Sequence, residues 1–174
     1  TLVNNPTGHE KTAVVLSSIK TTSSGSANTA TGFQALVTNS NRVKNTADRS
    51  DALARNTTGS FNVGVGFQAL EFNQTGGNNT ATGTSALLNN TASNNTAAGF
   101  SALPSNTSGY DNPAPAGNAI LDHTTVGLNT ASGTHALASN TSCSAHNATC
   151  VRALQNHITK YNTATDTFAF ATHH

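Results

Sequence analysis

The feature that most constrains this chain is an internal period of 17 residues. A unit that short holds neither a helix pair nor a self-sufficient core, so it must stack on copies of itself. Anchored on Asn-Thr-Ala-x-Gly-x-x-Ala-Leu, the units begin at Lys11, Asn28, Asn45, Asn62, Asn79, Asn95, Asn112, Asn129, His146 and Asn162. The steps between them are 17, 17, 17, 17, 16, 17, 17, 17 and 16 residues. We number these coils 1 to 10, and the positions within each from its leading residue.

Columns of this alignment become ladders when coils stack. Position 9 reads Ile19, Leu36, Leu53, Leu70, Leu87, Leu103, Ile120, Leu137, Leu154 and Phe170, all large and apolar, and is the expected core ladder. Positions 3 and 8 are almost always Ala, as required where two walls approach closely. Thr at position 2 and a variable residue at position 4 flank the Ala at position 3, the period-2 signature of a strand. The expected fold is all-β: a parallel β-solenoid (β-roll or β-helix) of about ten 17-residue coils, forming one repeat domain over 1–174 without a polar cap at either end. At about 4.8 Å per coil the rod would be roughly 48 Å long. Gly at positions 5 and 15 is expected to supply the corners. Asn at positions 1 and 12 is expected to stack and to tolerate left-handed turns.

Composition follows from these columns. Asn, Thr and Ala account for 23, 29 and 26 of the 174 residues, charged residues for only 9% and aromatics for 5%. A net charge of +1 with 8 Lys+Arg gives no electrostatic footprint for nucleic acid. No apolar run reaches the ~20 residues of a membrane-spanning helix. The start lacks both Met and a signal-like segment, so the chain reads as a processed or excised piece. One large apolar residue per coil is a slender core, which implies further burial by self-association. The position 6 residues Leu16, Phe33, Phe67, Phe100 and Val151 would supply either that lateral contact or a second small core within the coil.

The two cysteines, Cys143 and Cys150, fall at position 15 and at position 5 of the next coil, where Gly25 and Gly32, Gly59 and Gly66, and Gly76 and Gly83 also fall. If those corners face each other, the expected outcome is a Cys143–Cys150 disulfide and an oxidising compartment; the alternative is two buried free thiols.

The segments Asn28-Thr-Ala-Thr-Gly-Phe-Gln-Ala-Leu36 and Asn95-Thr-Ala-Ala-Gly-Phe-Ser-Ala-Leu103 resemble the repeats of bacterial surface and phage tail-fibre-like proteins. They are more distantly similar to the β-roll heads of trimeric autotransporter adhesins. The resemblance covers residues 2 to 172. It implies an extracellular, often homotrimeric stalk or head without enzymatic activity or cofactor. This unit is longer than that of the adhesin heads and carries a Leu column.

Sharper chemistry has less support in the sequence. The acidic residues Glu10, Asp48, Asp51, Glu71, Asp111, Asp122 and Asp166 are scattered over different columns, and Asp48 with Asp51 is the nearest pair. Glycoside cleavage needs two carboxyl groups ~5 to 9.5 Å apart. His157 and His173 share position 12 in adjacent coils, with His123 two coils away and His146 in the leading column, fewer than the four converging ligands of a structural zinc site. Thr29-x-Thr31, Thr80-x-Thr82 and Thr163-x-Thr165 would form an outward array of the ice-binding kind, interrupted elsewhere by Val14, Asp48, Val65, Ala98 and Pro115. Asn-x-Ser/Thr sequons occur at Asn56, Asn73, Asn106 and Asn140, all in position 12, and also at Asn78, Asn89, Asn94 and Asn147. If modified, the position 12 set would carry a stripe of sugar.

The expectation is an extracellular structural protein at the cell surface: a self-assembling subunit or segment of a fibre, whose partner is itself as a trimer or a helical filament. The alternative is an adhesin head that binds a host surface, a matrix or a glycan, with a local irregularity over 110–121, including Pro113 and Pro115, as its candidate contact.

Overall fold

The computed structural model describes residues 9–14, 18–19, 24–38, 43–120, 125, 127–139, 144–156 and 161–169. Each coil contributes one short strand, made by positions 2 to 4. The strands are β1 (Thr12–Ala13), β2 (Thr29–Ala30), β3 (Thr46–Asp48), β4 (Val63–Val65), β5 (Thr80–Thr82), β6 (Thr96–Ala98), β7 (Pro113–Ala114), β8 (Thr130–Ala131), β9 (Asn147–Ala148) and β10 (Thr163–Ala164). All pairings are parallel and in register, Thr29 on Thr46 and Ala30 on Ala47 for example. The chain is an all-β solenoid, and the described residues contain no helix. Eight direct pairings, six in one sheet and two in the other, join the ten strands, so the turns closed by direct pairing number about eight, slightly fewer than the ten coils expected.

The core ladder lies where the repeat places it. Ile19, Leu36, Leu53, Leu70, Leu87, Leu103, Ile120, Leu137 and Leu154 are fully buried, together with the Ala columns at positions 3 and 8, of which only Ala13 and Ala169 among the described residues are partly exposed. Phe170 lies outside the described residues. Close approach of the walls explains the small residues: a Cβ on Gly64, at position 3, would sit 3.4 Å from the Leu53 side chain of the preceding coil.

The corners differ from those expected. The left-handed residues are position 7 (Gln34, Asp51, Gln68), position 9 itself (Leu36 at φ 52, Leu53 at φ 52) and the residue before each leading Asn (Ala27, Lys44, Phe61). Among the described residues neither Asn column is left-handed. Even the β-branched Ile19 and Ile120 have φ 47 and 51, where an L-residue loses about 1–2 kcal/mol. The corner at position 9 turns each Leu inward between the two Ala columns, and burial of that side chain offsets the backbone cost. At position 5 the expectation holds for Gly66, Gly83 and Gly99, at φ 145, 133 and 134.

The strands form two sheets, β1 to β7 and β8 to β10. The break has a chemical cause. In every other coil the position 2 N–H donates to the position 1 carbonyl of the next coil, as in Thr46 to Asn62 at 2.8 Å and Thr130 to His146 at 2.8 Å. The position 4 N–H donates to the next position 3 carbonyl, as in Thr31 to Ala47 and Ser132 to Ala148. In coil 7 both positions are proline, Pro113 and Pro115, and proline has no N–H to give. The expected irregularity at 110–121 is therefore a seam in the ladder. Across it Ile120 N still donates to Ala136 O at 2.9 Å, and Asn129 N to the Asn112 side chain at 3.0 Å.

Replacing both prolines by Thr restores two donors, each worth about 0.5–1.5 kcal/mol net, against some loss of unfolded-state restriction. The expected result is a gain of about 1 kcal/mol, read as a higher urea midpoint.

Candidate functional site

The most highly organised chemistry in the molecule lies inside the rod. Asn28, Asn45, Asn62, Asn79, Asn95, Asn112 and Asn129 at position 1 are fully buried. Each presents its side-chain oxygen to the backbone N–H of position 1 in the next coil: Asn45 N to Asn28 Oδ1, Asn62 N to Asn45 Oδ1, and Asn79 N to Asn62 Oδ1, all at 2.9 Å. The run continues through Asn95, Asn112 and Asn129 to His146, whose N–H donates to Asn129 Oδ1 at 3.1 Å. At Asn162 the acceptor is His146 Nδ1, at 3.3 Å. Histidine fits the Asn column because its Nδ1 lies close to where an Asn carbonyl oxygen would, provided that nitrogen carries no proton.

The amide nitrogens go elsewhere. Asn62 Nδ2 and Asn73 Nδ2, from positions 1 and 12 of one coil, both donate to Gly76 O, at 2.8 and 2.9 Å. Asn45 and Asn56 share Gly59 O in the same way, and Asn95 and Asn106 share Gly109 O. Position 12 also stacks on itself: Asn90 Nδ2 donates to Asn73 Oδ1 at 3.1 Å and Asn106 Nδ2 to Asn90 Oδ1 at 2.7 Å. At Gly59 this knot leaves no room for a side chain, since a Cβ there would lie 2.1 Å from Gly76 O and 2.5 Å from Asn56 Oδ1. Close packing, not a left-handed backbone, sets glycine there. The 16-residue step from coil 5 is absorbed at the same corner, where Asn79 and Asn90 converge on Ala92 O and strand register is kept.

Two expectations change as a result. Asn56, Asn73 and Asn106 are fully buried and their amide nitrogens are already donors, so among the described residues position 12 offers no sugar acceptor in the folded chain. Asn140 lies outside the described residues. The exposed sequon asparagines are Asn78, Asn89, Asn94 and Asn147. The premise behind the disulfide also changes, because positions 15 and 5 form separate columns. Gly59 abuts Gly76, whereas Gly66 abuts Gly83 and Gly133 abuts the Cys150 backbone. Cys150 is a free thiol that donates to the Thr165 carbonyl, and Cys143 lies outside the described residues.

The outer columns are plainer. Asp48 accepts from Thr31 Oγ1 and lies 3.9 Å from Arg49 Nε, while Asp51 accepts from Ser50. Sequence spacing singled out Asp48 with Asp51, yet the carboxylates coupled across coils are Asp51 and Glu71. Burial pushes the Glu71 carboxyl above its ordinary range, the Asp51 charge adds to this, and Arg55 and Gln68 oppose it. The ionised form is the disfavoured one, so this group weakens the fold as pH rises through its titration. His123, His157 and His173 lie outside the described residues, and the remainder hold no cluster of three metal-ligating side chains. The outward Thr register runs Thr12, Thr29, Thr46 and is then broken by Val63 and Pro113. At position 6, Phe33, Phe67, Phe100 and Val151 are exposed, which removes the second-core alternative for these four. Leu16 lies outside the described residues.

Comparisons with family models, curated proteins and solved structures return no match.

Asn62→Ala removes an acceptor from Asn79 N and a donor from Gly76 O, and should cost about 2–4 kcal/mol in a thermal or urea melt, with buried partners left unpaired. His146→Asn keeps the acceptor and should stay within about 1 kcal/mol of the parent, whereas His146→Ala should resemble Asn62→Ala.

Proposed function

We propose that this chain is an extracellular structural protein, a self-associating subunit or segment of a surface fibre, rather than an enzyme. The observation that carries this reading is the allocation of polar chemistry. The buried amides close a repeating knot that passes a hydrogen bond from coil to coil, and large apolar side chains are left on the outside of the rod, at position 6 (Phe33, Phe67, Phe100, Val151) and at the corner before the leading Asn (Phe61, Leu128, Tyr161). A protein built this way resists bending and local opening because each coil is tied to the next along several parallel ladders. Its exposed aromatics gain from contact with copies of the same chain. The repeat's resemblance to surface and tail-fibre proteins points the same way.

Adhesion is the second reading, and the seam at Pro113 and Pro115 favours it. Coil 7 is where the repeat gives up two ladder bonds, and an interruption of a regular rod is a natural place for an irregular contact with a glycan or another surface.

Negative-stain imaging with mass-per-length measurement distinguishes assembly from its absence. Rods or filaments of defined mass per length are expected at high protein concentration. Particles that stay monomeric and short at every concentration would contradict the fibre reading.

A further inference from the structure

Position 6 carries an alternation that the 17-residue repeat does not require. Over coils 2 to 7 the column reads Phe33, Ser50, Phe67, Thr84, Phe100, Gly117. A phenylalanine stands in every second coil, and a small residue stands between. The three rings are 45, 47 and 63% exposed. In-register stacking of coils 2 to 6 aligns the column along the rod, so successive rings are about 9.6 Å apart, two strand spacings. Beside Phe67 the surface is recessed: an open groove of about 540 Å³ is lined by Arg49, Ser50, Phe67 and Thr84, among others.

We propose that this comb is a self-complementary interface on which a second copy of the chain docks antiparallel about a two-fold axis between coils 4 and 5. The inference rests on the self-association reading and names its contact face. An axis there sets coil n against coil 9 − n of the partner. Phe33 then meets Gly117, Phe67 meets Thr84, and Phe100 meets Ser50, so every ring faces a gap in both directions. An isologous contact of this kind closes without leaving a comb exposed. A parallel arrangement in register would instead set ring against ring and gap against gap. Charge agrees with the antiparallel choice: Asp48, Arg49 and Asp51 of coil 3 would face Ala98, Gly99 and Ser101 of coil 6, so no like charges oppose each other. A stable contact buries about 800 Å² per partner, roughly a tenth of the 7524 Å² the chain exposes.

Sedimentation velocity across a concentration series tests this with the full chain, Thr84→Arg, the pair Phe67→Ser with Phe100→Ser, and Thr80→Arg as a control on the strand face. Circular dichroism melts check that each variant is folded. The expected result is a two-fold species for the parent and for Thr80→Arg, weakened at least a hundredfold by Thr84→Arg and by the double serine variant. Association of folded Thr84→Arg as tight as the parent's overturns this interface while leaving self-association by another face standing. A parent that is monomeric throughout overturns both. A monomeric parent that binds a glycan array through a signal lost in Thr84→Arg would assign the comb to a sugar and overturn the self-docking proposal.

Discussion

Coils 3 to 9 each donate to the coil before one hydrogen bond that ordinary strand pairing does not supply: the backbone N–H of position 1 donates to a buried Asn side-chain oxygen. The rest of the cross-section is arranged around that bond. To point Oδ1 along the rod, the amide must lie flat in the interior, and its nitrogen then needs an acceptor in its own coil. Gly59, Gly76 and Gly109 provide one by bringing a carbonyl between the two Asn columns. The absence of a Cβ at Gly59 and Gly76 makes room for the neighbouring coil at that corner, while in coil 5 Ala92 supplies the same carbonyl with its Cβ in place. A buried amide with both its oxygen and its nitrogen engaged contributes to uniqueness of register; half-engaged, it would cost more than an apolar residue.

The apolar half of the interior is correspondingly thin. One Leu or Ile per coil lies against two Ala columns, and it is held there by a left-handed backbone that L-residues ordinarily avoid. Such a conformation persists where the surroundings over-determine it. Here the determinants are the ladder bonds on either side of position 9, as in Leu53 N to Ala69 O at 2.9 Å. Stability in this fold therefore depends on continuity between coils, and a local loss of donors has consequences that a globular core would hide. Coil 7 shows this: two prolines at ladder positions split one sheet into two while the Asn bond carries on across the gap.

Much of this was legible in the sequence because columns at a fixed period report burial directly. The Leu ladder, the Ala walls and the outward Thr at position 2 could all be read from residue type and recurrence, and the solenoid follows from them. The roles of the Asn columns could not. Asn in a repeat suits a solvated left-handed corner as well as a buried ladder, and only the three-dimensional convergence of Asn62 and Asn73 on Gly76 O separates the two. For the same reason Asn56, Asn73 and Asn106 read as sugar acceptors in sequence but lie inside the rod. The left-handed sites were hidden by their occupants: Leu, Ile, Gln and Phe carry no signal for positive φ. His146 in the Asn column, by contrast, held a clue. Past Lys11 it is the one residue that replaces Asn in the column, and it keeps an acceptor in the same place, which favours a structural role for the column over a solvated turn.

If the buried Asn ladder at position 1 ties the coils together, native-state amide hydrogen exchange followed by NMR reads it directly, because the N–H groups of Asn45, Asn62, Asn79, Asn95 and Asn112 donate to side chains rather than to a strand ladder. These amides are expected to exchange as slowly as those of Leu53, Leu70 and Leu87 in the core column, opening only with the whole rod. Exchange at the rate of exposed corner amides, while the Leu column stays protected, would contradict it.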